Sequence, residues 1–353
     1  MRVDDFSFDL PDELIAQHAA PRGQSRLLVL ERASGRTRHQ HIHDLPNELQ
    51  AGDVLVVNDT RVFAARLLGK RVPSGGAVEC LLLGAPIDRE EDGSARFEAL
   101  VHPGQKLKPG ARVRFEGTGG AIAGEILERR FFGRRVVRLT PDGGQDLDAL
   151  VDAIGHVPLP PYIHRSDDVV DRERYQTVYA RGRGSVAAPT AGLHFTPELL
   201  ETIAARGVIR VPVTLHVGYG TFKPIRTEVV EEHVVDPEPY EITEATANAI
   251  ALARAEGRRV IAVGTTTTRA LEDAAVRGGG VVSPGSAQAG IFIRPGFRFQ
   301  VVDGLLTNFH LPQSSLLMLV AAFAGREPVL AAYRDAVRER YRFYSYGDAM
   351  VIL

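Results

Sequence analysis

The chain changes texture twice, and that change limits its fold more than any single motif. Residues 1–62 and about 157–353 mix helix and strand signals, whereas residues 63 to about 156 read as strands alone. The middle contains AVECLLLGAP, ARFEALVHPG, ARVRFEG, AIAGEILERR and RRVVRLTP, short β-type runs split by Gly and Pro. No helix is predicted there. Such a pattern suits a small barrel or sandwich. Because the mixed texture resumes afterwards, the expectation is an α/β main domain, residues 1–62 and 157–353, with an all-β insertion at 63–156.

The flanking parts alternate strands and helices, which implies a parallel or mixed sheet with helical cover. Asp53–Asn58 is a β-branched run with a turn behind it, and Val208–Val217 and Arg259–Val263 are further strands. Ile291–Arg294 is expected as another. Thr196 with Pro197 opens a helix that Gly207 closes. Thr243 opens a second that Gly257 ends, and a third is expected from Arg269. Ser315–Ala324 and Pro328–Arg340 are predicted as the last helices.

At 353 residues, with 44% hydrophobic and 24% charged residues, the composition is that of an ordinary globular protein. The net charge of −2 leaves a nucleic-acid partner open. Cys80 is the only cysteine, which excludes an internal disulfide and a thiolate metal cluster. The start lacks an apolar signal region, and the longest apolar run, Leu316–Ala324, is too short to span a membrane. A cytoplasmic monomer without membrane association is expected.

Ligands in open α/β sheets and α/β barrels sit at the carboxyl ends of strands. Four unusual segments fall at such positions or beside them: Asn58-Asp59-Thr60-Arg61, His216–Lys223 (HVGYGTFK), Gly264–Thr268, and Asn308-Phe309-His310. Each alone reads as a turn or a cap, and only their shared placement points to a site. A fifth, Ser185–Thr196 (SVAAPTAGLHFT), is too small-sided for a core strand and too apolar for a solvated loop. It reads as backbone that approaches a ligand closely, with His194 and Phe195 projecting from it. His194, His216 and His310 show no H-x-x-x-H or H-x-H pairing, so no metal site is expected. The G-x-S-x-G elbow and the strand-to-helix G-x-G-x-x-G are both missing, which argues against a serine hydrolase and a dinucleotide enzyme. In ERRFFGRRVVR, arginines interleave with Phe131 and Phe132. That pattern suits either a solvated edge or a surface that grips RNA and stacks a base. Arg165, Arg172, Arg174, Arg181 and Arg183 would extend such a surface. The aromatic run Arg340–Asp348 reads as a docking lid or a pinned terminus.

Taken together, these segments resemble the S-adenosylmethionine:tRNA ribosyltransferase-isomerases of queuosine biosynthesis. The matching pieces are DDFSFDLPDELIAQ, VLVVNDTRVFAARL, YQTVYA with GSVAAPTAGLHFT, LHVGYGTFKPI, GTTTTRALE, TNFHLPQSSLLMLVAAFAG and YRFYSYGDAM, in order from residue 4 to 350. The resemblance implies a distorted α/β barrel-like main domain with an inserted small β-barrel. It implies transfer and isomerisation of the ribosyl part of S-adenosylmethionine onto 7-aminomethyl-7-deazaguanine at the wobble position of a tRNA, giving epoxyqueuosine with release of adenine and methionine. S-adenosylmethionine is then a consumed substrate, and no cofactor is implied. His194 or His310 is the expected acid or base, because a histidine pKa lies near working pH; Glu238 and Asp59 are rivals. Expected to bind substrate are Asn58, Arg61, Tyr175, Gln176, Tyr179, Pro189, Thr190, Gly192, Phe195, His216, Gly218, Tyr219, Gly220, Thr221, Lys223, Thr265, Thr266, Thr267, Arg269 and Asn308. Two positions depart from the family pattern. Asp236 stands where a second histidine is usual in H-x-M-H-S-E-x-Y, and His164 stands where Lys is frequent. A conventional methyltransferase and a non-catalytic RNA-binding protein are the alternative classes; release of free adenine separates all three.

Overall fold

In the computed structural model, which describes residues 1–222 and 225–353 apart from the Phe222 side chain, the chain forms two bodies of sheet. The larger is a nine-stranded mixed sheet. Its strand order is Gly285–Ala289, Glu238–Ile242, Ile209–Leu215, Val54–Asn58, Val260–Val263, Gly304–Asn308, Ala349–Ile352, Arg26–Leu30 and Thr37–His41. The four strands from Ile209–Leu215 to Gly304–Asn308 run parallel. Parallel sheets need cover on both faces, and alternation along each strand supplies two cores. Val54, Val56, Val260, Ala262 and Leu305 face one, with the helices Glu244–Ala255, Thr265–Arg277, Ser315–Ala324 and Arg326–Arg338. Leu55, Val57, Ile261, Val263 and Leu306 face the other, with the helix Pro197–Ala205.

The smaller body is the expected small β-barrel. Strands Arg66–Val72, Ala77–Leu82, Ala95–His102, Arg112–Gly117, Gly120–Arg129 and Arg134–Pro141 form an antiparallel sheet. Arg134–Pro141 pairs back onto Ala95–His102, which closes a six-stranded barrel. Its interior holds Leu67, Val78, Cys80, Leu82, Phe97, Val113, Phe115, Ile122, Val137 and Leu139. Space is tight enough that a Cβ on Gly124 would lie 2.5 Å from Val113 and 3.1 Å from Phe115. Burial pushes the Cys80 thiol up to about 12, so this cysteine acts as core filler and not as a nucleophile.

Three local readings are corrected. The middle region does contain a helix, Leu147–Ile154, capped by Asp146 and packing Leu147, Leu150 and Val151 on the barrel core. The helix expected from Arg269 begins at Thr265 instead. Gly264, at φ +93°, turns the chain directly from strand to helix, and Thr267 and Thr268 hydroxyls bond back to the carbonyls of Val263 (2.6 Å) and Gly264 (3.1 Å). Ile291–Arg294 is not a strand; the pairing falls on Gly285–Ala289, against Glu238–Ile242. The other expected helices form, with Thr196 and Thr243 as N-caps through their side chains.

Candidate active site

The four parallel strands end side by side, and their carboxyl ends carry the four unusual segments. Asn58 closes the Val54–Asn58 strand. Completely buried, its amide donates to Leu215 O (2.9 Å) and Thr266 Oγ1 (3.4 Å), and its Oδ1 accepts from the N–H groups of Leu215 (3.0 Å) and Thr60 (3.1 Å). One side chain thus ties three strand ends together. The backbone of Ser185–Ala191 passes over this edge, with Ser185 Oγ accepting from Val217 N (2.8 Å) and donating to Ala187 O (2.7 Å).

A narrow cleft of about 40 Å³ opens there. Its wall comprises Ala187–Ala191, Val217, Thr221, Gly264–Thr266, Thr307, Asn308, His310, Leu316, Tyr162, Tyr344 and Ser345. No Asp, Glu, Lys or Arg is among these residues. Small side chains give room, hydroxyls give hydrogen bonds, and Tyr162 and Tyr344 meet edge to face with centroids 3.7 Å apart. Tyr162 OH also bonds Ser345 Oγ.

His310 lines this cleft. Its Nε2 bonds Thr307 Oγ1 (2.9 Å), and its backbone N–H donates to Tyr333 OH (3.2 Å). Burial lowers its pKa to about 3, with no other influence opposing the fall. His194 sits behind the wall, its Nδ1 bonded to Ser25 Oγ (2.8 Å), and burial lowers its pKa to about 4 against the pull of Asp348 and Asn308. Asn308 lies toward its other nitrogen and donates to Tyr344 O (3.0 Å). Neither His194 Nε2 nor Asn308 Oδ1 completes a hydrogen bond among the described residues. Both histidines are therefore neutral at pH 7, far below the working-range pKa expected from sequence.

Glu238 is held by three donors: Gly218 N (2.9 Å), Thr221 Oγ1 (3.1 Å) and Arg269 (2.6 Å). Burial nonetheless pushes its carboxyl up, against the opposing pull of Arg269. It braces the Gly218–Thr221 turn, and Thr221 reaches the cleft. Asp59 accepts from Thr214 Oγ1 (2.6 Å), and the neighbouring Thr60 Oγ1 bonds His216 Nδ1 (2.8 Å). His216, whose pKa burial lowers, packs on Gly184, where a Cβ would lie 2.8 Å from its ring.

The remaining expected residues divide clearly. Pro189, Thr190, Thr221, Thr265, Thr266, Asn308 and His310 line the cleft. Gly192 is packed under Tyr179 and Thr177, and Phe195 is core. Gln176 pairs with Val62 through both its amide atoms. Tyr175 is buried, Thr267 bonds its own helix, and Arg61 is exposed. Tyr219 lines a second cleft, between barrel and main sheet, with Pro158–Pro161, His164 and Arg165. Gly220 packs on Asp236, and Lys223 lies outside the described residues. Of the five arginines around Ser185–Thr196, four are tied internally: Arg165 to Asp171, Arg172 to the carbonyls of Asp152 and Gly155, Arg174 to Ala20 O, and Arg183 to Asp148 and Asp152. Only the Arg181 guanidinium is without a partner among the described residues, so this stretch is not a continuous basic patch. Tyr162, Leu316 and the Arg340–Asp348 run were not among the expected site residues. The polar-aromatic composition of that run was its one signal, and its Tyr344 and Ser345 line the cleft.

A mixed sheet with an inserted antiparallel barrel, and a polar but uncharged cleft at the carboxyl edge of four parallel strands, define an α/β enzyme of small-molecule-binding type. Residues 3–352 match the family described as queuosine biosynthesis protein. The chain is 52% identical to the S-adenosylmethionine:tRNA ribosyltransferase-isomerase of Heliobacterium modesticaldum and 51% identical to that of Pelotomaculum thermopropionicum, covering 100% of both chains in each case. A crystal structure of S-adenosylmethionine tRNA ribosyltransferase from Thermotoga maritima is 36% identical, with a TM-score of 0.54 over 99% of this chain and 100% of that one. The chain belongs to the queuosine biosynthesis protein family.

Proposed function

We propose that the chain is an S-adenosylmethionine:tRNA ribosyltransferase-isomerase that acts on 7-aminomethyl-7-deazaguanine at the wobble position of tRNA. The carrying observation is the full-length match to enzymes of that name, together with the convergence of five of the seven motif segments on one cleft. The sulfonium of S-adenosylmethionine acidifies ribose C5′. A base removes that proton, and C5′ bonds C1′ as adenine leaves. The aminomethyl nitrogen bonds C4′ as the C4′–oxygen bond breaks. That oxygen, kept on C1′, displaces methionine from C5′ to close the epoxide, while the amine proton passes to adenine. His310 lines the cleft as a neutral imidazole and is the proposed proton acceptor, although burial makes it a weaker base than a free histidine. His194, behind the wall, is proposed to hold Asn308 and Ser25 in place. A sulfonium in an uncharged lining is proposed to meet the aromatic pair Tyr162 and Tyr344 instead of a carboxylate. S-adenosylmethionine is proposed to be consumed as a substrate, with no further cofactor in the scheme. Residues 1–62 and 157–353 act as the catalytic unit and 63–156 as the insert. Among the described residues no single helix is long and apolar enough to cross a membrane. A cytoplasmic monomer is proposed.

The test is incubation with S-adenosylmethionine and precursor tRNA, followed by measurement of free adenine. Methylated tRNA without adenine release would favour a methyltransferase. His310→Ala is expected to cut turnover about 10²- to 10⁴-fold, the usual worth of a general acid or base. Unchanged turnover in His310→Ala would remove it from proton transfer.

A further inference from the structure

One exposed aromatic pair takes no part in either core. At the tip of the hairpin joining Gly120–Arg129 to Arg134–Pro141, Phe131 is 87% and Phe132 is 88% solvent-exposed. Phe132 holds φ +55°, a left-handed conformation that a non-glycine residue rarely adopts. The tip is nevertheless fixed. Arg130 N–H donates to Arg134 O (2.9 Å), and the buried Arg135 guanidinium donates to the carbonyls of Gly133 (3.1 Å), Arg134 (3.0 Å), Gly104 (3.0 Å) and Leu107 (3.3 Å). The same guanidinium therefore pins the loop carrying Lys106 and Lys108 beside the hairpin. Those two lysines and Arg129 are exposed cations with no acidic partner among the described residues.

The tip is also joined to the cleft. Arg134 bonds Glu98 of the barrel (2.9 Å) and Asp236 of the main domain (2.9 Å). Asp236 in turn packs so closely on Gly220 that a Cβ there would lie 2.8 Å from its Oδ2, and the next residue, Thr221, lines the cleft.

We propose that Phe131 and Phe132 stack on unpaired bases of the tRNA anticodon loop while Arg129, Lys106 and Lys108 receive its phosphates. The proposal rests on tRNA being the substrate. Two outward rings beside unpaired cations, on a rigid turn, are the arrangement that grips single-stranded nucleic acid without reading sequence. A second copy of the chain fits poorly as occupant: two rings bury roughly 150–250 Å² each, well below the 1,000 Å² a stable interface needs. Asp236, which stands where the family usually has histidine, makes the latch that sets the tip beside the site.

The experiment measures binding of a synthetic anticodon stem-loop RNA by fluorescence anisotropy, alongside adenine release with full tRNA. F131A/F132A is expected to weaken stem-loop binding and raise the tRNA KM by roughly 5- to 100-fold, the effect of losing base stacking. The KM for S-adenosylmethionine and turnover at saturating tRNA should stay within about twofold, and F131Y/F132Y should restore binding. Unchanged stem-loop affinity in F131A/F132A overturns the proposal even when adenine release is intact. A fall in oligomeric mass by light scattering in that variant also overturns it, because the tip would then be holding two copies together. Wild-type protein that binds the stem-loop through the tip yet releases no adenine supports the stacking role and overturns only the reaction.

Discussion

The parallel sheet and the barrel both rely on ion pairs, but they use them in opposite settings. Near the cleft, Glu238 and Arg269 meet at 2.6 Å with both side chains nearly inaccessible. On the barrel, Arg138–Glu125 and Arg114–Asp142 lie on the outside, largely hydrated. A buried pair is costly to desolvate and costly to break, whereas an exposed one contributes little. The main domain accepts that cost where the Gly218–Thr221 turn has to be held still, and the barrel keeps its charge for solubility and partner contact. Removing charge should therefore separate the two regions sharply.

The largest effect is expected for Glu238→Ala. It strands the Arg269 guanidinium, which among the described residues otherwise bonds only Ala289 O (2.8 Å) and, weakly, Asp236 O (3.4 Å). Breaking such a pair costs about 3–5 kcal/mol, readable by urea denaturation. The double change Glu238→Leu with Arg269→Met should recover much of that stability but not activity, since Thr221 loses its acceptor. If the single variant lost under 1 kcal/mol, the contrast between the regions would collapse.

A second test uses pH. His194 and His310 have pKa values lowered by burial from the ordinary 6.5 to about 4 and about 3. Between those values and 6.5 the unfolded chain binds more protons than the folded one, so stability falls as pH drops through that window. For His194 alone the full loss is about 3 kcal/mol. His194→Gln should flatten the pH dependence of the urea midpoint between pH 6.5 and 4. A slope identical to wild type would show that His194 is hydrated and not buried. Barrel variants such as Arg138→Ala should leave this slope untouched.

Much of this contrast was legible before any coordinates. Clustered β-runs without heptad or helical spacing marked the barrel, because strand period and Gly/Pro breaks are local signals. The strand-end segments were visible because Asn58, Gly218 and Gly264 interrupt β-branched runs. Local signals failed elsewhere. Four threonines resemble a loop or cap, yet Thr265–Thr268 are the first helical turn because Gly264 turns the chain and hydroxyls bond backward. Gly285–Ala289, GSAQA, contains no β-branched residue and becomes a strand only through pairing with Glu238–Ile242. Tyr162 and Leu316 join the cleft from positions over 150 residues apart in the sequence, and only the folded sheet brings them together.

A third prediction concerns shape instead of charge. A Cβ on Gly192 would lie 2.2 Å from Tyr179 OH and 2.7 Å from Thr177 Cγ2. Gly192→Ala should cost about 1–3 kcal/mol by overpacking, and it should displace the Pro189–Ala191 wall, raising the KM for S-adenosylmethionine. The same change at barrel Gly110, which has no neighbour within 4 Å, adds only the strain of φ +83°. A smaller loss for Gly192→Ala than for Gly110→Ala would mean the wall yields easily.

The smallest effect belongs to the barrel's own pairs. Arg138 and Glu125 are bonded at 2.8 Å but stay 39% and 32% exposed. Water solvates both partners once the bond is cut, so Arg138→Ala should lose only about 0.2–1 kcal/mol. Half a molar of added salt should reduce even that, because screening acts on exposed charges and spares buried ones. The Glu238–Arg269 variants measured at the same salt should not change. A salt response shared by both regions would place water at Glu238. Thr221 would then be held by a solvated carboxylate, leaving the cleft wall far less rigid than its hydrogen bonds indicate.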